Sequence, residues 1–386
     1  MTTSTSDEHA AQVLYGPTSQ RAALATYVLM GILSSMIGPL LGELSKVFHI
    51  SLASAGVALS VGGFGGSTGV LIAWLGLREL EGRVVMRAGL IAMSLGVFGV
   101  AIIHSWVLWN VSNFVGAMGF GTLNICLNTT LARTPVLGRA KRLSLGNAIF
   151  GVGAVIGPLL VVTFEPHNFR LLYWCLAPLL LIATLFYRDM QAPASRVAHS
   201  EQGHQYLPHR NAVLATFIVA YTLYLSLEST CTGWAASTIH GYGYSSSVGS
   251  LVTAGFWGAF ALGRSFGGTF HRRFPTRNIV LACVSSALVL SPFALIHAAA
   301  PVVFVLIGLA VSMSFPMGLM WFAELNPYDS DGLSLIIMIM GLGGIVGPWV
   351  VSRLVAHGVV HVVPMAMTVE AALTIVAMLS AFRFRP

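Results

Sequence analysis

One carboxylate, two amides and a few aromatic rings stand inside stretches that are otherwise apolar, and these are the groups able to do chemistry. Glu228 lies deep in an apolar run that begins near residue 212. A carboxylate at that depth is costly, so it is paired, faces a water-filled cavity or carries a proton. Such a group suits proton uptake and release; the competing role is a fixed hydrogen bond to a neighbouring helix. Asn124 and Asn128 are four residues apart and share one helical face. Amides donate and accept without charge, which suits hydroxyl-rich or zwitterionic solutes. Their alternative, and the first reading for Asn147, is to bridge helices. Tyr221 precedes Glu228 by seven residues, on nearly the same face. Trp234, Trp257 and Trp321 could wall a cavity or anchor at a membrane interface. Glu370, in the last apolar run, has no role readable from its position. Arg264 could snorkel to the nearer surface or pair with an acid there.

The elements that must position these groups follow from composition. Of 386 residues, 56% are hydrophobic and only 9% charged, with a mean hydropathy of +0.81. A soluble chain carries about a quarter charged residues, so this one cannot cover a water-facing surface. That excludes a soluble enzyme, a disordered chain and a secreted disulfide scaffold. A helical span needs roughly 20 residues. Apolar runs between polar breaks predict spans at 22–45, 52–76, 85–104, 106–131, 143–164, 169–187, 212–237, 246–269, 278–297, 300–323, 333–354 and 361–382. Continuous apolarity favours helices over the alternating ten-residue strands of a barrel. Cys126, Cys175, Cys231 and Cys283 fall inside these runs and are expected to pack as free, small apolar groups. Residues 1–20 are polar and lack the apolar core of a signal peptide.

With the N-terminus in the cytoplasm, 17 of the 20 Lys and Arg residues fall on that side, and only Lys46, Arg170 and Arg353 fall outside. This is the positive-inside pattern, and it predicts both termini cytoplasmic. It also explains the net charge of +7 without a nucleic-acid partner. One loop departs: Glu324-Leu-Asn-Pro-Tyr-Asp-Ser-Asp331 is acidic yet must be cytoplasmic. The expected organisation is a tail at 1–21, six helices in 22–187, a cytoplasmic linker at 188–211, six helices in 212–382 and a tail at 383–386. His199, His204 and His209 in the linker are five residues apart, not a compact metal-ligand pattern. No metal and no cofactor are expected.

The two halves repeat. Gly151-Val-Gly153-Ala-Val-Ile-Gly157-Pro158 in span 5 matches Gly341-Leu-Gly343-Gly-Ile-Val-Gly347-Pro348 in span 11, 190 residues on. Copies six spans apart run in the same direction, so the repeat axis lies along the membrane normal. Individually Gly153, Gly157, Pro158, Gly343, Gly347 and Pro348 read as helix packing: small residues let backbones approach, and Pro bends a helix.

Two six-helix halves, a central linker and a parallel repeat resemble the major facilitator superfamily over the whole chain. Its loop between spans 2 and 3 is matched by Leu75-Gly-Leu-Arg-Glu79-Leu-Glu81-Gly82-Arg83-Val84, which keeps Gly82 and Arg83 and has Glu79 for Asp. The second copy, Gly268-Thr-Phe-His-Arg272-Arg-Phe-Pro275-Thr-Arg277, has Arg272 for the acid. The resemblance implies a cytoplasmic gate at Glu79, Gly82, Arg83 and Arg264, without a symmetric second latch. Met118-Gly119-Phe120-Gly121-Thr-Leu-Asn124-Ile-Cys-Leu-Asn128, Leu145-Gly-Asn147, Tyr224-Leu-Ser-Leu-Glu228 and Phe256-Trp257-Gly258 are similar to patterns of the fucose/sugar–proton symporter family. Members of that family carry an acid in span 4, where this chain has Asn124, and another in span 1, where it has none before Glu43. Proton coupling therefore does not carry over to those positions, and Glu228 is the remaining candidate.

What the resemblance implies is an all-α membrane protein of twelve spans that moves a small polar, sugar-like solute by alternating access with a proton. It is expected to be monomeric and to sit in a bacterial inner membrane. Efflux of a drug, metabolite or siderophore is the alternative, since the span 5 motif partly resembles that of antiporters. A non-transporting receptor or scaffold is the second. No Gly-x-x-x-x-Gly-Lys-Ser/Thr loop, His-Glu-x-x-His helix or Gly-x-Ser-x-Gly elbow occurs, so no enzyme motif is present.

Overall fold

The computed structural model describes residues 17–132, 136–164, 169–187, 209–326 and 329–384. Among these residues there are helices and turns and no strand. The first six spans are α1 (Pro17–Val47), α2 (Leu52–Glu79), α3 (Gly82–Ile102), α4 (Trp106–Ala132), α5 (Val136–Phe164) and α6 (Phe169–Ala183). The second six are α7 (Arg210–Gly241), α8 (Ser246–Ser265), α9 (Thr276–Leu290), α10 in two pieces (Ala300–Val311 and Ser314–Leu325), α11 in two pieces (Ser330–Met340 and Gly343–Leu354), and α12 (Val359–Ser380). The tail before residue 17 and the linker with His199 and His204 lie outside the described residues. Large apolar side chains such as Leu95, Val107, Val289 and Val376 are more than 60% exposed, as a lipid-facing surface requires.

The sequence predicts continuous spans at 300–323 and 333–354, and both are interrupted. Pro316 has no N–H, so the carbonyl four residues before it, Ser312, loses its helical donor and α10 breaks at Ser312–Met313. In α11 the break at Gly341–Leu342 falls in a run containing Gly341, Gly343 and Gly344, where helical preference is lowest.

The chain forms two compact units. One contains residues 64–153 with the described parts of 1–33 and 168–200. Here α4 lies against α2 and α3 at backbone contact. A Cβ on Gly121 would meet the Gly66 carbonyl oxygen at 2.0 Å, and one on Gly119 the Met93 nitrogen at 2.3 Å. The glycine-rich stretch of span 4 is thus a packing surface that leaves the Asn124 and Asn128 face of the helix for other use. The turn after α6 is tied to α1 by the Thr26 and Tyr187 hydroxyls, 2.9 Å apart, and α6 itself to α3 by Ser94 donating to the Ala177 carbonyl.

The other unit contains 34–63, 154–167 and the described residues from 209 onward. The acidic loop that breaks the charge pattern has partners here. Arg210, at the start of α7, grips Asp329 with two hydrogen bonds, Nε to Oδ2 at 2.7 Å and Nη2 to Oδ1 at 2.9 Å. Asp329 is 5% exposed and also caps α11, accepting from the Gly332 N–H at 2.8 Å. Glu324 accepts from Thr276 at the start of α9. The loop's acids therefore brace three helix starts. Asp329→Ala leaves Arg210 without its carboxylate and removes the cap, an expected loss of about 2–4 kcal/mol. Thermal unfolding of the purified protein should show a drop of several degrees; an unchanged Tm would make the pair energetically idle.

The internal repeat is physical as well as sequential. A Cβ on Gly153 of α5 would meet the Val28 carbonyl oxygen of α1 at 2.2 Å, and one on Gly343 of α11 the Thr222 carbonyl oxygen of α7 at 1.9 Å. Gly157, Pro158, Gly347 and Pro348 are buried as well. Val28 and Thr222 are 194 residues apart, and so are His49 and Gly243, the left-handed residues (φ 52° and 91°) of the α1–α2 and α7–α8 turns.

Candidate functional site

In the second unit the site grows from the break in α10. The break frees the Val311 and Ser312 carbonyls at mid-helix, and unpaired carbonyls there must find donors. Arg264 of α8 donates through Nε to the Ser312 oxygen at 3.3 Å, with its guanidinium 4.2 Å from the centre of the Phe260 ring. Tyr221 donates to the Ser314 oxygen at 2.9 Å. Tyr224 lies 3.1 Å from the Val311 oxygen and 2.8 Å from Glu228 Oε2. Arg264 is close enough for its charge to act on Glu228. Glu228 thus sits where a broken helix, an aromatic hydroxyl and a cation converge.

This arrangement serves Glu228 in both protonation states. When it is ionised, the Tyr224 hydroxyl donates to it. When it is protonated, the carboxyl donates to the Tyr224 oxygen, and Tyr224 turns its hydrogen to the Val311 carbonyl. Glu228 keeps its hydrogen bond to Tyr224 in either state, and the cost of losing the proton is confined to the Val311 carbonyl, which gives up the Tyr224 donor.

In the first unit Asn124 and Asn128 lie together as their spacing predicts. Asn128 Nδ2 donates to Asn124 Oδ1 at 2.6 Å, and Tyr27 of α1 donates to Asn128 Oδ1 at 3.3 Å. Both asparagines are half-buried, and the Asn124 amide nitrogen has no protein partner among the described residues. Tyr27 is a member that sequence reasoning passed over, because a single Tyr in an apolar helix carries no spacing signal. Asn147 is exposed.

The remaining candidates are placed as follows. Tyr221 is fully buried and its hydroxyl is committed to α10; Tyr224, four residues from Glu228, is the tyrosine that reaches the carboxylate. Trp234 is fully buried, with its indole N–H unpartnered among the described residues and its ring where a Cβ on Gly56 would fall. Trp257 packs edge-on against Phe256 and Phe260, and Trp321 against Phe217 and Phe382. Trp257 is 9% exposed and Trp321 4%, so each is mainly a packing element here. At the α2–α3 turn Glu79 and Arg83 are exposed, Gly82 is buried, and Arg83 pairs with Glu81. Arg264, in the other unit, lies beside Glu228 and the Ser312 carbonyl. Cys126, Cys231 and Cys283 are buried and Cys175 is exposed, and none of the four forms a disulfide among the described residues. Among the described residues no three metal-ligating side chains converge.

The sequence profile of the Major Facilitator Superfamily matches residues 23–348. The chain belongs to that superfamily: it is a multi-pass membrane transporter of solutes, with the superfamily's fold of twelve helices, and not an enzyme. Solved structures agree in fold. A D-xylose–proton symporter superposes with a TM-score of 0.77 at 13% identity, covering 96% of this chain and 98% of that one. The nucleoside transporter NupG gives 0.72 at 13%, covering 95% and 98%. FucP in the outward conformation gives 0.66 at 18%, covering 96% and 99%. No curated protein sequence matches the chain.

Proposed function

We propose that this chain is a proton-coupled secondary transporter of a small uncharged polar solute, sugar-like or nucleoside-like, with Glu228 as the proton site and Asn124 and Asn128 as solute contacts. The observation that carries the reading is the Tyr224 hydroxyl poised between Glu228 and the freed Val311 carbonyl. It gives one intramembrane acid two satisfied states, which a static structural bond does not need. The amide pair with Tyr27 offers donors and acceptors and no charge, which favours hydroxyl or amide groups on the solute over ionised ones. The proton-coupled xylose transporter and the nucleoside transporter among its structural neighbours act on solutes of this kind. On this proposal both termini lie in the cytoplasm, the chain sits in a bacterial inner membrane and the monomer is the working unit.

The test is a panel of sugars, nucleosides, amino acids and organic acids on the purified protein. A true solute should raise the Tm and, in proteoliposomes, alkalinise the outer medium as it enters with protons. Stabilisation only by ionised solutes, or uptake indifferent to the pH gradient, would overturn the reading. Asn128→Ala removes the link between Tyr27 and Asn124 and should raise KM roughly tenfold, the cost of one or two lost hydrogen bonds. Unchanged uptake kinetics would make the amide pair a helix bridge.

A further inference from the structure

Helix α7 carries two polar stripes. Tyr224 and Glu228 form one, and Ser226 and Thr230 the other. At 3.6 residues per turn the stripes lie about 160° apart, on nearly opposite faces. The second stripe is occupied by Glu370 of α12. Its Oε1 accepts from Ser226 Oγ at 2.5 Å and from Thr230 Oγ1 at 3.1 Å. Its Oε2 is buried and has no partner among the described residues, and no ion pair involves it among them. The titratable neighbour on α7 is the buried thiol of Cys231, which lies within electrostatic range of both Glu370 and Glu228. Helix α11 closes the same face, for a Cβ on Gly347 would meet Ser226 Oγ at 2.0 Å. Ser226 is therefore held between a glycine backbone and a carboxyl, with no room to turn.

We propose that Glu370 is a positioning residue for Glu228: an uncharged acid that fixes the rotation of α7 by accepting from its rear stripe. This rests on the reading of Glu228 as the proton site. An anion with one oxygen buried and unpartnered is far costlier than the neutral acid, so acceptor capacity, not charge, is what the site uses. With the rear stripe anchored at two hydroxyls one turn apart, the front stripe holds Glu228 at hydrogen-bond distance from Tyr224, which is itself tied to α10. Release of the anchor lets α7 turn, and Glu228 then leaves the pair of acceptors and donors that satisfies both of its states.

The test compares E370Q, E370L and E228Q in the full-length protein reconstituted in proteoliposomes, with the solute found by the panel above. E370Q keeps the carbonyl acceptor and should retain the wild-type rate and proton-to-solute ratio. E370L keeps bulk but not the acceptor. It should lower kcat by roughly tenfold or more with KM little changed, and move the midpoint of the pH profile by about one unit. Thr230→Val, which is isosteric and removes one donor, should move both in the same direction by less, and it carries the test where E370L fails to fold. Loss of coupling in E370Q, as in E228Q, would make Glu370 a proton carrier and overturn the proposal. So would a wild-type pH profile in E370L or, where E370L is unfolded, in T230V. Full proton-driven uptake in E228Q would instead overturn the Glu228 reading and this proposal with it.

Discussion

Glu228→Gln is expected to abolish proton-driven accumulation and to spare counterflow. Glutamine has nearly the same size and still accepts the Tyr224 hydroxyl, so the fold and the solute path are kept. It cannot gain or lose a proton in the working range. For one proton per solute, a gradient of one pH unit supports about tenfold accumulation, the equivalent of 1.4 kcal/mol. The variant should equilibrate its solute to a ratio of about one while exchanging labelled for unlabelled solute near the wild-type rate. Full gradient-driven uptake would remove Glu228 from the mechanism. Loss of exchange as well would assign it to solute binding or folding, which thermal unfolding would separate. Tyr224→Phe is the companion: without the hydroxyl neither state of Glu228 is satisfied, so coupling should weaken but persist.

The second large effect concerns the glycines through which α1 and α2 meet α7 and α11. A Cβ on Gly38 would lie 2.5 Å from the Thr232 carbonyl oxygen, and one on Gly63 would lie 2.5 Å from the Gly344 oxygen. Between them Leu59 packs on Gly233 and Trp234 on Gly56. The atoms met at Gly38 and Gly63 are backbone, which cannot rotate away. With both termini cytoplasmic, as proposed above, these contacts lie toward the outer side. The proposed transport cycle requires them to part when solute enters from there. Gly38→Val or Gly63→Val should cost the closed seam about 1–3 kcal/mol, shifting the closed-to-open ratio by roughly 5–150-fold. A Leu59→Cys reporter in each background should then be labelled by a membrane-impermeant thiol reagent added outside, with transport slowed in step. Equal labelling with and without the valine would show that the seam does not move in the cycle.

Much of this molecule is one-dimensional information. Length, the scarcity of charge and the sidedness of Lys and Arg are read against a bilayer of known thickness, so twelve helical spans were predictable without any contact. The Gly–Pro repeat at 151–158 and 341–348 was visible because helix packing at backbone distance admits one residue type. The acid at 228 stood out because few acids remain in the membrane.

Tertiary structure decided what each polar group touches. Helix α7 carries polar side chains on nearly opposite faces, so no single stripe marks the inward one and its rotation is not legible in sequence. Tyr221 and Tyr224 are both within two turns of Glu228, and only the path of α10 commits Tyr221 to Ser314 and leaves Tyr224 for the carboxylate. For Arg264 the sequence offers snorkelling or an ion pair with an acid, and neither anticipates the Ser312 carbonyl that Pro316 frees and Arg264 satisfies. The acidic loop broke the charge rule because that rule counts sides and not partners; Asp329 answers to Arg210, 119 residues away. The role of Glu370 is not readable in sequence, because its partners are two hydroxyls on another helix. Sequence sets which segments enter the membrane, since each segment pays its own transfer free energy. Partners across helices depend on rotation and breaks, which packing against every other segment fixes together.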